Sequence, residues 1–153
     1  MGSQILSGRP LFSPEGDADS RHSEAKATPG FLASSEDGDF VYIGMASNSA
    51  TVNSGEPVSA GAGLSACVRG DSDAGAFLGI ANAPISSGEF GFIRRSGPVT
   101  AYVASGAVAG TPLELSGTAG QLKPLTSSGQ QVGIALASSP NGAGLTSVYL
   151  NGN

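Results

Sequence analysis

The feature that most narrows the fold is a succession of short apolar runs, each of strand length, divided by Gly, Ser, Asn and Pro. FVYIGMA (residues 40–46), GLSACVRG (63–70), AFLGIANA (76–83), EFGFIRR (89–95) and PVTAYVAS (98–105) are followed by TPLELS, QLKPL, QQVGIALA and LTSVYLNG. Such units recur about every 8 to 14 residues, and runs this short suit strands rather than globular helices. In PVTAYVAS, Val99, Ala101 and Val103 alternate with Thr100, Tyr102 and Ala104. A period of two gives a strand two different faces. Composition closes the helical alternative, because the 24 glycines and the many Ser and Thr residues cost helix stability. The chain has 153 residues, one ordinary domain. The expectation is an all-β fold, a small antiparallel β-barrel or β-sandwich.

Residues 1–38 have a different texture. Their apolar residues come as isolated pairs, Ile5-Leu6, Leu11-Phe12 and Phe31-Leu32, punctuated by Pro10, Pro14 and Pro29. The stretch 15–26, EGDADSRHSEAK, is strongly polar. This reads as an extended N-terminal arm, with a single β-domain over 39–153. The apolar pairs are candidate contacts to a neighbouring subunit or partner, or alternatively to the chain's own body. Hydrophobic residues make up 39% of the chain, which implies a thin core that gains from association.

An internal echo supports the β reading. Gly44-Met45-Ala46, Gly79-Ile80-Ala81 and Gly133-Ile134-Ala135 each follow an apolar residue. The second and third lead through a Ser/Pro/Gly turn to a return strand, a hairpin pattern. A strand glycine permits a bulge or a close approach of backbone.

Chemistry is sparse. Net charge is -5, and Arg94-Arg95 is the only basic pair, so nucleic-acid binding is not expected. No apolar run approaches transmembrane length, and residues 1–8 lack the apolar core of a signal peptide. Synthesis in a cytosol follows as the expectation. Cys67 stands alone, so neither an intrachain disulfide nor a cysteine zinc site is expected, and an inward-facing role is favoured. His22, the sole histidine, lies in the polar arm, and no catalytic or cofactor motif appears. Asp37 and Asp39, and Asp71 and Asp73, are the best metal candidates, with turn formation the favoured reading. Glu56 and Glu89 share a Gly-Glu step, and Glu89, Arg94 and Arg95 are expected to form rim ion pairs. The three tyrosines, Tyr42, Tyr102 and Tyr149, are read as core or interface packing.

The order of segments carries a resemblance. It comprises Gly55-Glu56-Pro57-Val58 with Gly61, then Gly79-Ile80-Ala81, a strand near Gly97-Pro98-Val99, and Gly110-Thr111-Pro112-Leu113. A tip over 117–122 follows, then the strands 132–136 and 148–150. From about residue 50 onward the sequence resembles the capsid decoration, or cement, proteins of tailed bacteriophages. Polar Asp or Tyr is often expected after the Gly-Thr step, where Pro112-Leu113-Glu114 stands here.

The resemblance implies a non-enzymatic protein without cofactors. It would sit on the outer surface of the virion's capsid, bridge major capsid protein subunits as a homotrimer and stabilise the head. Ile5, Leu6, Leu11, Phe12, Phe31, Leu32, Arg94 and Arg95 are the candidate capsid or subunit contacts. Two other classes stay open. One is a receptor- or glycan-binding domain using Asp71, Asp73, Tyr102 and Tyr149. The other is a hydrolase using Ser65 or Cys67.

Overall fold

The structure is a computed structural model that describes residues 4–6, 9–12, 16–17, 19–126 and 129–152; up to residue 18 it describes the backbone alone. Every regular element among the described residues is a strand. β1 (Gln4–Leu6), β2 (Arg9–Phe12) and β3 (Gly16–Asp17) make a small antiparallel meander. β4 (Arg21–His22), β5 (Leu32–Ser35), β6 (Gly38–Gly44), β7 (Pro57–Ser59), β8 (Val68–Arg69), β9 (Phe77–Ile80) and β10 (Phe90–Arg94) form a seven-stranded sheet. Its order is β5-β6-β10-β9-β7-β8, and β4 pairs with β10 beyond the reach of β9. β11 (Ser96–Val103), β12 (Pro112–Leu115), β13 (Leu122–Pro124), β14 (Gly133–Ala135) and β15 (Gly144–Asn151) close into a barrel of order β11-β13-β12-β14-β15. Both of the anticipated architectures are therefore partly present, a closed barrel joined to an open sheet.

β6 shows why the sheet needs cover on both sides. Its FVYI run puts Phe40 and Tyr42 on one face and Val41 and Ile43 on the other, and all four are buried. Val41 and Ile43 pack with Met45, Val58, Cys67, Ile85 and Ile93. Phe40 and Tyr42 pack with Phe92, the Tyr42 and Phe92 rings meeting edge-on at 5.0 Å. Each ring buried in this way contributes roughly 1.5–3 kcal/mol.

Residues before β6 supply the outer cover. Tyr42 Oη shares a 2.8 Å hydrogen bond with His22 Nδ1 and accepts one from the Lys26 N–H. Arg21 Nη2 donates to the Ala83 carbonyl and Nε to the Pro84 carbonyl. Phe31 sets its ring edge-on to Phe92. Residue 38, the limit of the arm as read from sequence, thus falls inside the β5–β6 hairpin, whose register ends at Ser35↔Gly38.

In the barrel, Ala101 and Val103 of β11, Leu113 and Leu115 of β12, Leu122 of β13, Ala135 of β14 and Val148 and Leu150 of β15 fill the interior. Ile80 of β9 joins the same cluster, so the sheet plugs the barrel. The anticipated hairpins are present: β9 pairs antiparallel with β10, and β14 with β15. The glycines of the echo serve close approach. A Cβ at Gly79 would overlap the Arg94 carbonyl, and one at Gly133 would lie 2.6 Å from the Tyr149 carbonyl oxygen. A register shift between Val58 and Ser59 leaves Leu78, next to Gly79, as the extra residue of a bulge in β9.

The Gly-Glu steps close one turn used twice. In Asn53-Ser54-Gly55-Glu56 the Glu56 N–H donates to the Asn53 carbonyl, and the Asn53 N–H donates back to Glu56 Oε1 at 2.8 Å. Ser86-Ser87-Gly88-Glu89 repeats both bonds, with the Ser86 N–H on Glu89 Oε1 at 2.7 Å. Gly55 and Gly88 hold φ of 88° and 73°, the left-handed region such turns require. Glu89 is therefore committed to its own turn and forms no rim pair with Arg94 or Arg95 among the described contacts.

The first turn joins the two bodies. The Tyr102 N–H of β11 donates to the Gly55 carbonyl, and the Gly55 N–H donates to the Ala81 carbonyl just past β9. Glu56, 6% exposed, takes Arg69 Nε at 3.1 Å and Nη2 on its other oxygen. The Arg69 guanidinium in turn lies against Gly120 at the β12–β13 tip, where a Cβ would overlap it. Burial alone would raise the Glu56 pKa, but the Arg69 and Asn53 donors outweigh it and hold the carboxyl below its ordinary value of 4.5.

Cys67 is fully buried, and its thiol donates weakly toward the Gly63 carbonyl at 3.4 Å. Burial pushes its pKa up to about 12. At pH 8 the native protein is expected to resist thiol-disulfide reagents, with modification tracking the unfolded fraction in a denaturant series. Rapid labelling of the folded protein would contradict this placement.

Candidate interaction surface

An antiparallel sheet facing water ordinarily alternates apolar-in with polar-out. The barrel wall breaks that rule on one side. β15 reads Leu145, Ser147 and Tyr149 outward against Thr146, Val148 and Leu150 inward. Leu145 and Tyr149 are 53% and 49% exposed.

The strand registers assemble these residues into rows. Tyr149 faces Pro98 of β11 on one side and Ile134 of β14 on the other, and Ile134 faces Pro112 of β12. Leu145 faces Tyr102, and Ser147 faces Thr100. Leu136, 50% exposed, continues β14 beside Ser147, to whose carbonyl its N–H donates. The paired positions across these four strands therefore present Pro, Ile, Leu and Tyr, with Ser147 and Thr100 as the polar members and no charge. On a chain of net charge -5 this is an unusual surface. Exposed apolar clusters of this kind mark contact sites.

The residues singled out from sequence are scattered. Phe31 and Leu32 are exposed at the edge strand β5, Phe31 also resting on Phe92. The side chains of Ile5, Leu6, Leu11 and Phe12 lie outside the described residues, although their backbones pair in β1 and β2. Arg94 lies over the Phe40 ring at 4.5 Å, and burial pushes its pKa below the usual guanidinium value. Arg95 is half-buried beside it, its N–H donating to the Asp39 carbonyl.

The carboxylates make turns. Asp71 Oδ1 accepts the Asp73 N–H at 2.9 Å, and Asp39 Oδ1 accepts Ser34 Oγ at 3.0 Å. No group of three potential metal-ligating side chains occurs among the described residues. Of the three tyrosines read as core or interface packing, Tyr42 is core, and Tyr102 and Tyr149 point outward from the barrel.

The sequence reading named only Tyr102 and Tyr149 of this face, as core or interface packing, and did not single out its other outward residues as contacts. The signal was present in LTSVYL, where both alternating sets contain apolar residues, so both faces of the strand require a partner.

Comparison with curated proteins finds no match. The sequence model of a phage cement protein family matches residues 32–150, from the first residue of β5 to the inward Leu150 of β15. That span takes in the sheet, the joint and the barrel, and the chain belongs to the phage cement protein family, a non-enzymatic structural component of the phage head.

Proposed function

We propose that the protein seats on the outer surface of the capsid through the uncharged barrel face, bridges neighbouring major capsid protein subunits as a homotrimer, and stabilises the head. The apolar outward row Pro112, Ile134, Tyr149 and Pro98 is the observation that carries this reading. Apolar contact contributes roughly 25 cal/mol per Å² before the losses of association, and repetition over a shell makes modest contacts act together. Phe31 and Leu32 at the sheet edge, Arg94 and Arg95 at the joint, and the apolar pairs of β1 and β2 are further contacts in this proposal.

Tyr149→Glu places a charge in the middle of the row without touching the barrel interior. Capsid occupancy of this variant is expected to fall by about tenfold or more, the equivalent of some 1.4 kcal/mol, with an unchanged unfolding temperature. Wild-type attachment should persist in molar salt, because screening weakens charge contacts and not apolar ones. Normal occupancy of Tyr149→Glu, or release of the wild type at moderate salt, would remove the barrel face from the interface. Stabilisation itself is read from survival of heads, with and without the protein, under heat or osmotic shock. Removing residues 1–18, which keeps Arg21 and His22 on the sheet, tests the contacts of β1 and β2 separately.

A further inference from the structure

Glu114 sits where the strand pattern puts a solvent-facing residue, yet it is only 8% exposed. Its neighbours Leu113 and Leu115 belong to the barrel interior, so Glu114 points outward and is covered from outside. The cover comes from Thr126, Gly129, Gln130 and Val132 and from the loop that leads into β9. Together they enclose an open recess of about 490 Å³ with Phe77, Leu115 and Val132 in its walls and Glu114 within it.

The carboxylate is only half engaged. Oε2 accepts the Thr126 N–H at 2.7 Å, and Lys123 Nζ, paired across from it on β13, stands 3.9 Å away. Among the described residues no donor bonds Oε1, and that atom is not sealed from solvent. Gly129 lies directly beside Oε1, so close that any Cβ there would overlap it. A side chain at this position would displace the carboxylate.

We infer that this recess receives a basic side chain, arginine or lysine, from the capsid surface. The inference rests on the decoration reading for the source of that side chain. A carboxylate is an acceptor only, so its free oxygen calls for a donor. Apolar walls suit the methylene stem of a long cationic residue, and a guanidinium gives the stronger, planar contact. Lys123 is more than a third exposed and swings outward as the incoming cation takes its place. One such insertion fixes the register of a face whose apolar contacts are otherwise permissive.

The test separates the recess from its supplier. N-acetyl-arginine amide titrated into the full-length protein should cause saturable amide shifts at Thr126 and Gly129. The neutral isostere N-acetyl-citrulline amide should not. Glu114→Gln keeps an acceptor for the Thr126 N–H, so its unfolding temperature should hold while arginine affinity falls about tenfold. No saturable shift, equal shifts with citrulline, or undiminished binding by Glu114→Gln would overturn the recess as a cation site. If Glu114→Gln loses arginine binding but decorates capsids at full occupancy, the capsid is not the supplier and that half of the inference fails. The Tyr149→Glu result decides the decoration face independently.

Discussion

Gly97→Ala is expected to destabilise the protein by about 4 kcal/mol or more, beyond the range of ordinary single substitutions. Gly97, the second residue of β11, has φ at 92°, and a Cβ there would overlap the Asp37 carbonyl oxygen at the tip of the β5–β6 hairpin. The tip presses back, since a Cβ on Gly38 would overlap the Ser96 carbonyl. Neither side can retreat easily, because the Arg95 N–H is bonded to the Asp39 carbonyl at 2.8 Å and the Asp39 N–H to Ser96 Oγ at 2.9 Å. Gly106 supplies the control. It has a similar φ of 98° with nothing near its missing Cβ. Gly106→Ala should therefore show only the conformational part, roughly 1 kcal/mol. Denaturant midpoints of the two variants measure the difference, and equal losses would show that the hairpin tip does not clamp the start of the barrel.

Arg69→Leu should cost about 3 kcal/mol at neutral pH, lowering the unfolding temperature by roughly 10 °C. The loss comes mainly from Glu56, which keeps its Asn53 donors but becomes a buried carboxylate without a cation. The pH dependence identifies the cause. In the wild type the Glu56 pKa is depressed, so its stabilisation is full above the unfolded value and fades as pH falls through the lower folded value. In Arg69→Leu the remaining effect of burial raises that pKa, so acid relieves the strain of an unpaired charge. The gap between wild type and variant should therefore narrow as pH drops below about 4.5. A gap that stays constant from pH 7 to pH 3 would assign the loss to the Arg69 side chain's packing against Gly120 instead.

The strands legible in the sequence are those whose own residues declare them. FVYI in β6, the alternation of β11 and the Gly-Ile-Ala hairpins are local patterns, and the structure contains all of them. β4 and β5 were hidden for the opposite reason. Arg21-His22 is polar, and Leu32–Ser35 has only two apolar members, so their strand state comes from pairing with β10 and β6. The shared Gly-Glu step was visible, but its bond to Arg69 joins the turn before β7 to β8 and could not be read from spacing. Tyr149 was left between core and interface because a lone alternation does not say which side holds the core; only closure of the barrel decides that.

Barrel closure also has a consequence in time. The longest register among the described residues joins β11 to β15, which ends at Asn151. A chain emerging from the ribosome has every strand of the sheet before the first strand of the barrel, and β15 follows the other four barrel strands. Until Asn151 is free, Pro98, Thr100 and Tyr102 have no neighbours opposite them, and Tyr149 and Leu145 have no wall to stand on. The proposed seat for the capsid thus exists only once β15 has emerged and paired, and chains still short of β15 cannot compete for places on the shell.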